Sequence, residues 1–368
     1  MSEHTPTPED SPPNLDELRV KIDALDSSLV SLLNERAQVV VKIGKAKQHD
    51  GSPIYAPDRE SSVLKKIIAD NQGPLPDRTL EGIWRELMSG SFRLERPLRI
   101  AYLGPAGSFS HQAGIRHFGS STELAATRGI ESVVNEVEAG RADYGMVPYE
   151  NAIGGSITET LDALHDHRCP VCAETLVAID QALMANCPPN SIRAIASKPE
   201  ALTQCRQWID EHYPNAEIIE TSSTSAAVER AASAPATAAI GCRLAGNIYE
   251  VKVLFDRIQD RTDNVTRFLV LGKQEPASTG RDRTTIVFET YDRPGALVEV
   301  LLAFQNNSIN LSHIDKRPSR RENWTYTFFI DCEGHRDDPS MVTAIEQATA
   351  HCASLRIIGS YPRAARVL

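Results

Sequence analysis

The sequence predicts a multidomain protein with an all-α N-terminal region, a two-lobed α/β middle, and a C-terminal α+β module of ferredoxin-like order, βαββαβ. Three observations carry that reading. Apolar residues recur at steps of 4 and 3 through Leu18, Ile22, Leu25, Leu29, Leu32, Val39 and Ile43, a heptad-like helical stripe. After Pro97 short apolar strands alternate with helical stretches, which implies a mostly parallel sheet with ligands at strand C-terminal ends. Beyond the polar linker "GKQEPASTGRD" the element order changes again.

Taken in order, Asn14 and Glu17 resemble a capping box ahead of a helix from Leu15 to Lys47. At roughly 50 Å such a helix needs a partner along its length. "DGSP" breaks it, Pro57 opens a second helix ending at "NQGP", and a third runs from about Thr79 to Glu95. Leu80, Ile83, Trp84, Leu87 and Met88 share one face of the third. "LRIAYLG", "ADYGMVP", "IRAIAS", "AEIIE", "TAAIG" and "RFLVLG" read as strands, with helices at Pro199 to His212 and Thr224 to Ala232. Strand "TTIVFET", helix Pro294 to Asn306, strands "INLSHIDKRP" and "WTYTFFIDC", helix Pro339 to about His351 and strand "SLRIIGSY" complete the chain. The expected limits are a disordered tail at 1–13, a helical region at 14–96, an α/β region at 97–272 with its second lobe at about 178–256, a linker at 273–282 and a last module at 283–368.

A formal net charge of −10 with no basic run argues against a nucleic-acid surface. No apolar run is long enough to cross a bilayer. The N-terminus is acidic and Pro-rich without an apolar core, unlike a signal peptide. Seven scattered cysteines fit reduced thiols, so a cytoplasmic protein is expected. "CPVC" (Cys169 to Cys172) lacks a second pair or nearby histidines and reads as structural rather than metal-binding or redox-active. Neither a metal nor an organic cofactor is implied.

Arg36 interrupts the apolar stripe, and Lys47 lies 11 residues on, close to three turns and on the same face. A buried guanidinium is costly unless carboxylates or phosphates pair it. Either Glu60 or Glu95 closes an internal salt bridge, or the cations wait for an anionic ligand. In the α/β region "GPAGSFS" (Gly104 to Ser110) joins a strand to a helix N-terminus, an anion-binding arrangement distinct from the dinucleotide GxGxxG. "VPYEN" (Val147 to Asn151), "GGSI" and "NVTRF" (Asn264 to Phe268) are short polar motifs that singly fit ordinary loops.

Together these motifs carry a resemblance. The helical stretch from "LRVKIDALDSS" to "KIGKAK", with "PDRE" and the third helix, looks like the all-helical chorismate mutases. The middle segment looks like prephenate dehydratase, and the last like an ACT regulatory domain. The whole order, from about Leu15 to Pro362, resembles the bifunctional chorismate mutase–prephenate dehydratase family of phenylalanine biosynthesis. The resemblance implies that Arg36 and Arg59 bind carboxylates, Lys47 the ether oxygen and a carboxylate, Glu60 the ring hydroxyl, and that Ser91 assists. It also implies an interlocked homodimer, in which Arg19 reaches a neighbour's pocket; Arg19 lies 17 residues from Arg36, roughly 25 Å along one helix. For the dehydratase it implies Thr266 as the main catalytic hydroxyl, Asn151 orienting substrate, Arg267 supplying positive charge, Glu150 beside them and Ser108 in place of a usual Thr. For the ACT module it implies phenylalanine binding at Gly295, Ala296, Leu297 and Val298 and at Asp315, Lys316, Arg317 and Pro318, giving feedback inhibition.

Departures bear on chemistry. Ala56 stands where some members carry Asp, and Ala152 where a hydroxyl is usual. Glu95 stands where Gln often donates; a carboxylate cannot donate, so Glu95 is expected to act protonated, with mutase activity falling as pH rises. Glu200 replaces a Gln of the dehydratase site and reads either as a protonated donor or as half of a capping box with Ser197. Three other readings stay open: a single-activity enzyme with one decayed site, an arogenate dehydratase, and a non-catalytic small-molecule binder, since a periplasmic-binding-protein-like two-lobed cleft also suits solute receptors.

Overall fold

The computed structural model describes residues 14–50, 53–318 and 326–368. The tail at 1–13, Gly51–Ser52 of the helix break, and Trp324 and Thr325 of the expected strand lie outside the described residues.

Helix α1 (Leu15–Asp50) starts at the expected residue but with a different cap: Asn14 Oδ1 accepts from Asp16 N at 3.1 Å and its Nδ2 donates to Glu17 Oε1 at 3.2 Å, in place of the reciprocal backbone bonds of a capping box. Its neighbours α2 (Pro57–Asp70) and α3 (Asp77–Glu95) are shorter and cover only its C-terminal half. Val40 and Gly44 are buried there, whereas Leu18, Ile22, Leu25, Leu29, Leu32, Val39 and Ile43 are 45–63% exposed. The stripe expected to be interior is therefore uncovered, because no element among the described residues runs alongside it. Ile83 on α3 is likewise exposed rather than part of the buried face.

The link from α1 to α2 inserts into the next region. Tyr55 is 1% exposed, with its ring edge-on to Phe92, Phe118 and Tyr144 at centroid distances of 5.1–5.9 Å. Its hydroxyl lies 2.7 Å from His117 Nε2, and burial pushes the His117 imidazole down to about 3, so it is neutral.

The α/β region runs β1 (Arg99–Leu103), α4 (Phe109–Phe118), β2 (Glu123–Thr127), α5 (Ile130–Glu138), β3 (Tyr144–Asn151), β4 (Gly155–Ser156), α6 (Thr158–Asp166) and β5 (Val171–Ala178). It continues through β6 (Ala182–Met184), β7 (Ala194–Ser197), α7 (Pro199–Gln204), α8 (Arg206–His212), β8 (Glu217–Glu220), α9 (Thr224–Ser233), β9 (Thr237–Gly241), α10 (Arg243–Tyr249), β10 (Val253–Phe255) and β11 (Val265–Leu271). Two sheets form two lobes, in orders β2-β1-β3-β11-β5, with β4 on β3, and β10-β6-β9-β7-β8. The expectation of a mostly parallel sheet is corrected. β1, β2 and β3 pair in parallel, as do β7, β8 and β9, but β11, β5, β6 and β10 pair antiparallel. The chain leaves the first lobe after β5 and re-enters as β11, and that return runs against its neighbours.

The last module, β12 (Asp282–Thr290), α11 (Ala296–Asn306), β13 (Leu311–Pro318), β14 (Tyr326–Glu333), α12 (Pro339–Thr349) and β15 (Cys352–Pro362), has the βαββαβ order and an antiparallel sheet β13-β14-β12-β15. Its helices cover one face, where Phe288, Val300, Phe304, Ile330 and Met341 pack. The other face joins the first lobe in one core, Val287, Phe329, Ile358 and Tyr361 lying with Tyr149, Val171 and Leu269. Gly359 permits that approach: a Cβ there would sit 2.1 Å from the Val171 carbonyl oxygen. Gly359→Ala is expected to destabilise the junction by about 1–3 kcal/mol, as overpacking does. Faster amide exchange in β15 and β5 is the readout; unchanged exchange there would refute the close approach.

Candidate active sites and an effector pocket

In the helical region, the α1–α3 seam gathers four of the expected residues. Arg36 donates to Ser91 Oγ at 3.0 Å, and Ser91 in turn donates to the Leu87 carbonyl at 2.7 Å. Among the described residues Arg36 has no carboxylate partner, because both candidates are engaged elsewhere. Glu60 lies 3.5 Å from Arg85, and Glu95 Oε2 lies 3.2 Å from Lys47 Nζ. Lys47 also donates to the Ile54 carbonyl at 3.0 Å, so the helix break fixes the ammonium. Gly44 clears room for Glu95, whose Cγ would stand 2.9 Å from a Cβ at position 44. Lys47 and Glu95 line a cavity of about 280 Å³ with Pro53, Asp143, Tyr144 and Gln274.

Three expectations are corrected. Glu60 turns away from this cavity towards Arg85 and His117, and burial raises its carboxyl pKa. Arg59 is exposed and does not join Arg36 within one chain; Arg19, in an exposed pair with Asp16 at 3.3 Å, stands apart from Arg36 in one chain, as the sequence spacing requires. Glu95's close partner is a cation, which gives the expected protonated donor no geometric support.

Between the two lobes lies a cleft of about 700 Å³, lined among others by Ser108, Arg128, Gln181, Lys198, Glu200, Gln204 and Thr266. Ser108 caps α4, accepting from His111 N at 3.2 Å while donating to the Leu103 carbonyl at 3.1 Å. Gly107, at φ +81°, brings this loop against Ala245 of the other lobe; a Cβ there would stand 2.8 Å from Ala245 Cα.

Thr266 is 7% exposed and opposite Asn151 across β11–β3. The Asn151 amide is oriented by its neighbours: Oδ1 accepts from Ile153 N at 3.0 Å and Gly154 N at 2.8 Å. Its Nδ2 therefore donates, to Thr266 Oγ1 at 2.9 Å and Asn264 Oδ1 at 2.7 Å. With its oxygen accepting from Asn151, the Thr266 hydroxyl keeps a proton to donate, and Thr266 lines the cleft.

Arg267 and Glu150 do not face the cleft. Adjacent residues of a strand point to opposite faces, so those beside Thr266 and Asn151 meet the last module instead. Arg267 is buried, donating from Nε to Glu174 at 2.7 Å, from Nη2 to Tyr361 Oη at 2.9 Å, and from Nη1 to Asp331. Glu150 lies 3.4 Å from His313, which holds its carboxyl below the usual range. Both expectations of substrate contact are corrected on that ground. The capping-box reading of Glu200 also fails: Ser197 Oγ donates to the Ile240 carbonyl at 2.6 Å, Lys198 stands at the cap, and Glu200 pairs with Lys198 at 3.3 Å.

Gln181, Gln204 and Asn264 were not singled out from sequence. Gln204 follows Glu200 by four residues on α7, so helical spacing alone turned both towards the cleft. Gln181 donates to Gln204 at 3.2 Å.

In the last module Thr290 to Arg293, Gly295 to Val298, Tyr326 and Phe328 line a pocket of about 200 Å³. Asp315–Pro318 do not line that pocket but lie beside it on edge strand β13, with Lys316 opposite Phe328 and Pro318 opposite Tyr326, while Arg317 pairs with Asp162 of α6 at 2.9 and 3.1 Å. Cys169 and Cys172 are buried free thiols, and burial pushes Cys169 up to about 12. Among the described residues no His/Cys/Asp/Glu group is placed to hold a metal, and no helix is long and apolar enough to cross a membrane.

Three family models match successive stretches: chorismate mutase type II at residues 18–96, prephenate dehydratase at 100–276 and the ACT domain at 284–350. A bifunctional chorismate mutase/prephenate dehydratase of Stutzerimonas stutzeri is 40% identical over 94% of this chain and 97% of its own length. The chain belongs to the bifunctional chorismate mutase/prephenate dehydratase family. A relative of the same name from Pseudomonas aeruginosa is 39% identical over the same shares of the two chains. The solved prephenate dehydratase of Arthrobacter aurescens, in complex with L-Phe, is 34% identical with TM-score 0.68, covering 73% of this chain and 90% of that one.

Proposed function

We propose that the chain converts chorismate to prephenate at the α1–α3 seam and prephenate to phenylpyruvate, CO2 and water in the interlobe cleft, with phenylalanine as inhibitor. Family membership supports both reactions, and the Asn151–Thr266 hydrogen bond is the single observation that carries the second. The first step is pericyclic and needs no proton transfer. It needs a dicarboxylate held compactly and charge on the ether oxygen stabilised. Arg36, without a carboxylate partner among the described residues, and Lys47 supply that charge. In the second step the ring carbon–carboxylate bond breaks, its electron pair aromatises the ring, and the hydroxyl leaves with the C–O pair as hydroxide, which takes a proton from solvent to become water. Thr266 donates a hydrogen bond to that departing oxygen, since an alcohol is too weak an acid to give its proton freely.

The uncovered stripe on α1 and the position of Arg19 support a homodimer in which two helices bury each other and Arg19 serves the neighbouring pocket. The pocket at Gly295–Val298 supports phenylalanine binding, Asp315–Pro318 of a second copy completing it. The three matched stretches support the limits 14–96, 97–272 and 283–368, and the absence of any crossing helix among the described residues is compatible with a cytoplasmic enzyme.

Incubating purified protein with chorismate should give prephenate and then phenylpyruvate, the latter suppressed by added phenylalanine. Formation of prephenate alone would select the reading in which the second site has decayed. Phenylpyruvate production indifferent to phenylalanine would remove the effector assignment.

A further inference from the structure

The two residues read as catalytic each sit one step along a strand from a residue gripped by the ACT module. β11 and β3 run antiparallel with Thr266 opposite Asn151 and Arg267 opposite Glu150. Alternation sends Thr266 to the cleft, with the Asn151 amide bonded to it, and Arg267 and Glu150 to the regulatory sheet. The register shifts between Arg267 and Phe268, leaving Tyr149 unmatched in β3, a bulge of the kind that re-aims side chains beside active sites.

Behind the cleft the contacts are dense. The Arg267 guanidinium bonds Glu174, Asp331 and Tyr361 through its three nitrogens and lies 4.9 Å from the Tyr149 ring centroid. Asp331 uses its other oxygen to accept from Thr285 Oγ1 at 2.6 Å. Glu150 lies 3.8 Å from Arg267 and 3.4 Å from His313, whose other nitrogen is 3.5 Å from Ser156 Oγ. His313 and Asp331 are themselves opposite residues in the β13–β14 register. Two paired residues of the regulatory sheet thus hold two paired residues of the dehydratase sheet. With Arg267, Glu174 and Asp331 all nearly inaccessible, these charge pairs resist stretching, and a shift of the regulatory sheet carries Arg267 and Glu150 with it.

We propose that Asp331 and His313 are positioning residues for the dehydration: by fixing Arg267 and Glu150 they set the strand register in which Asn151 donates to Thr266. The proposal rests on the reading of Thr266 and Asn151 as the catalytic pair, and it concerns turnover without effector.

The test uses the full chain and assays both reactions in each preparation. Asp331→Asn and His313→Ala should each lower the dehydratase kcat about tenfold, as small misplacements of reacting groups do, with KM for prephenate within about twofold. Chorismate rearrangement should be unchanged. His313→Lys, which again sets a hydrogen-bond donor facing Glu150, should bring kcat back to within about threefold of the parent. Should Asp331→Asn fail to fold, the two His313 variants carry the test alone. Parental dehydratase kcat in His313→Ala would overturn the proposal. So would a loss that His313→Lys does not rescue and that mutase turnover shares, the mark of a merely structural contact. Thr266→Ala measured alongside separates the two readings. Retained turnover in that variant refutes the catalytic pair, whereas an inactive Thr266→Ala beside a fully active His313→Ala refutes the positioning alone.

Discussion

Thr266→Ala is expected to slow phenylpyruvate formation by about 10²–10³-fold, the usual cost of losing one preorganised donor. Chorismate should still be consumed at the parental rate. The reason is directional. Asn151 Oδ1 is occupied by two backbone N–H groups, so its amide nitrogen must donate to Thr266 Oγ1 at 2.9 Å. That leaves the hydroxyl proton available to the cleft that Thr266 lines, and alanine has none to offer. Thr266→Ser keeps the donor and should retain most turnover. Stopped assays of both products on the same preparation give the answer, and dehydratase turnover surviving in Thr266→Ala would remove Thr266 from the reaction.

Arg36→Leu is expected to abolish mutase activity while making the protein more stable. The half-buried guanidinium finds one hydroxyl, Ser91 Oγ at 3.0 Å, and no carboxylate among the described residues. A charge held in that state is a burden until a dianion arrives. Leucine continues the apolar stripe that Leu29, Leu32 and Val39 define, and should raise stability by about 1 kcal/mol, in line with the trade between activity and stability at such sites. Rearrangement of chorismate should fall by at least about 10²-fold, since transition-state charge loses a cation. A melting temperature below the parent's, or retained mutase turnover, would show that Arg36 is a structural residue.

Much of this was legible beforehand, for physical reasons that also mark where legibility stops. Element order follows from hydrophobic period, and the period of 3.6 in α1 or of 2 in β13 survives any tertiary context. Strand direction does not, since it depends on where the chain returns; β11 closes the first lobe antiparallel only because the second lobe intervenes. The cations Arg36 and Lys47 stand out in the sequence because charge along an apolar stripe demands an explanation. Glu150 and Arg267 were misplaced although the corrective rule was at hand: neighbours on a strand cannot face one cleft, so "EN" and "TR" each had to surrender one member. Gln204 was missed because its motif was read at Glu200, one helical turn too early.

Tyr55 changes what the boundary near Pro97 means. Although it belongs to the link between the first two helices, its ring fills a socket built by Phe118, Tyr144 and His117 of the α/β region. Excising the mutase by cutting the chain at Pro97 would leave that socket open and greasy on the remaining enzyme. The isolated helical fragment would in turn display a tyrosine meant for another body. The two halves are mortised together, so the peptide bond at Pro97 is not all that joins them.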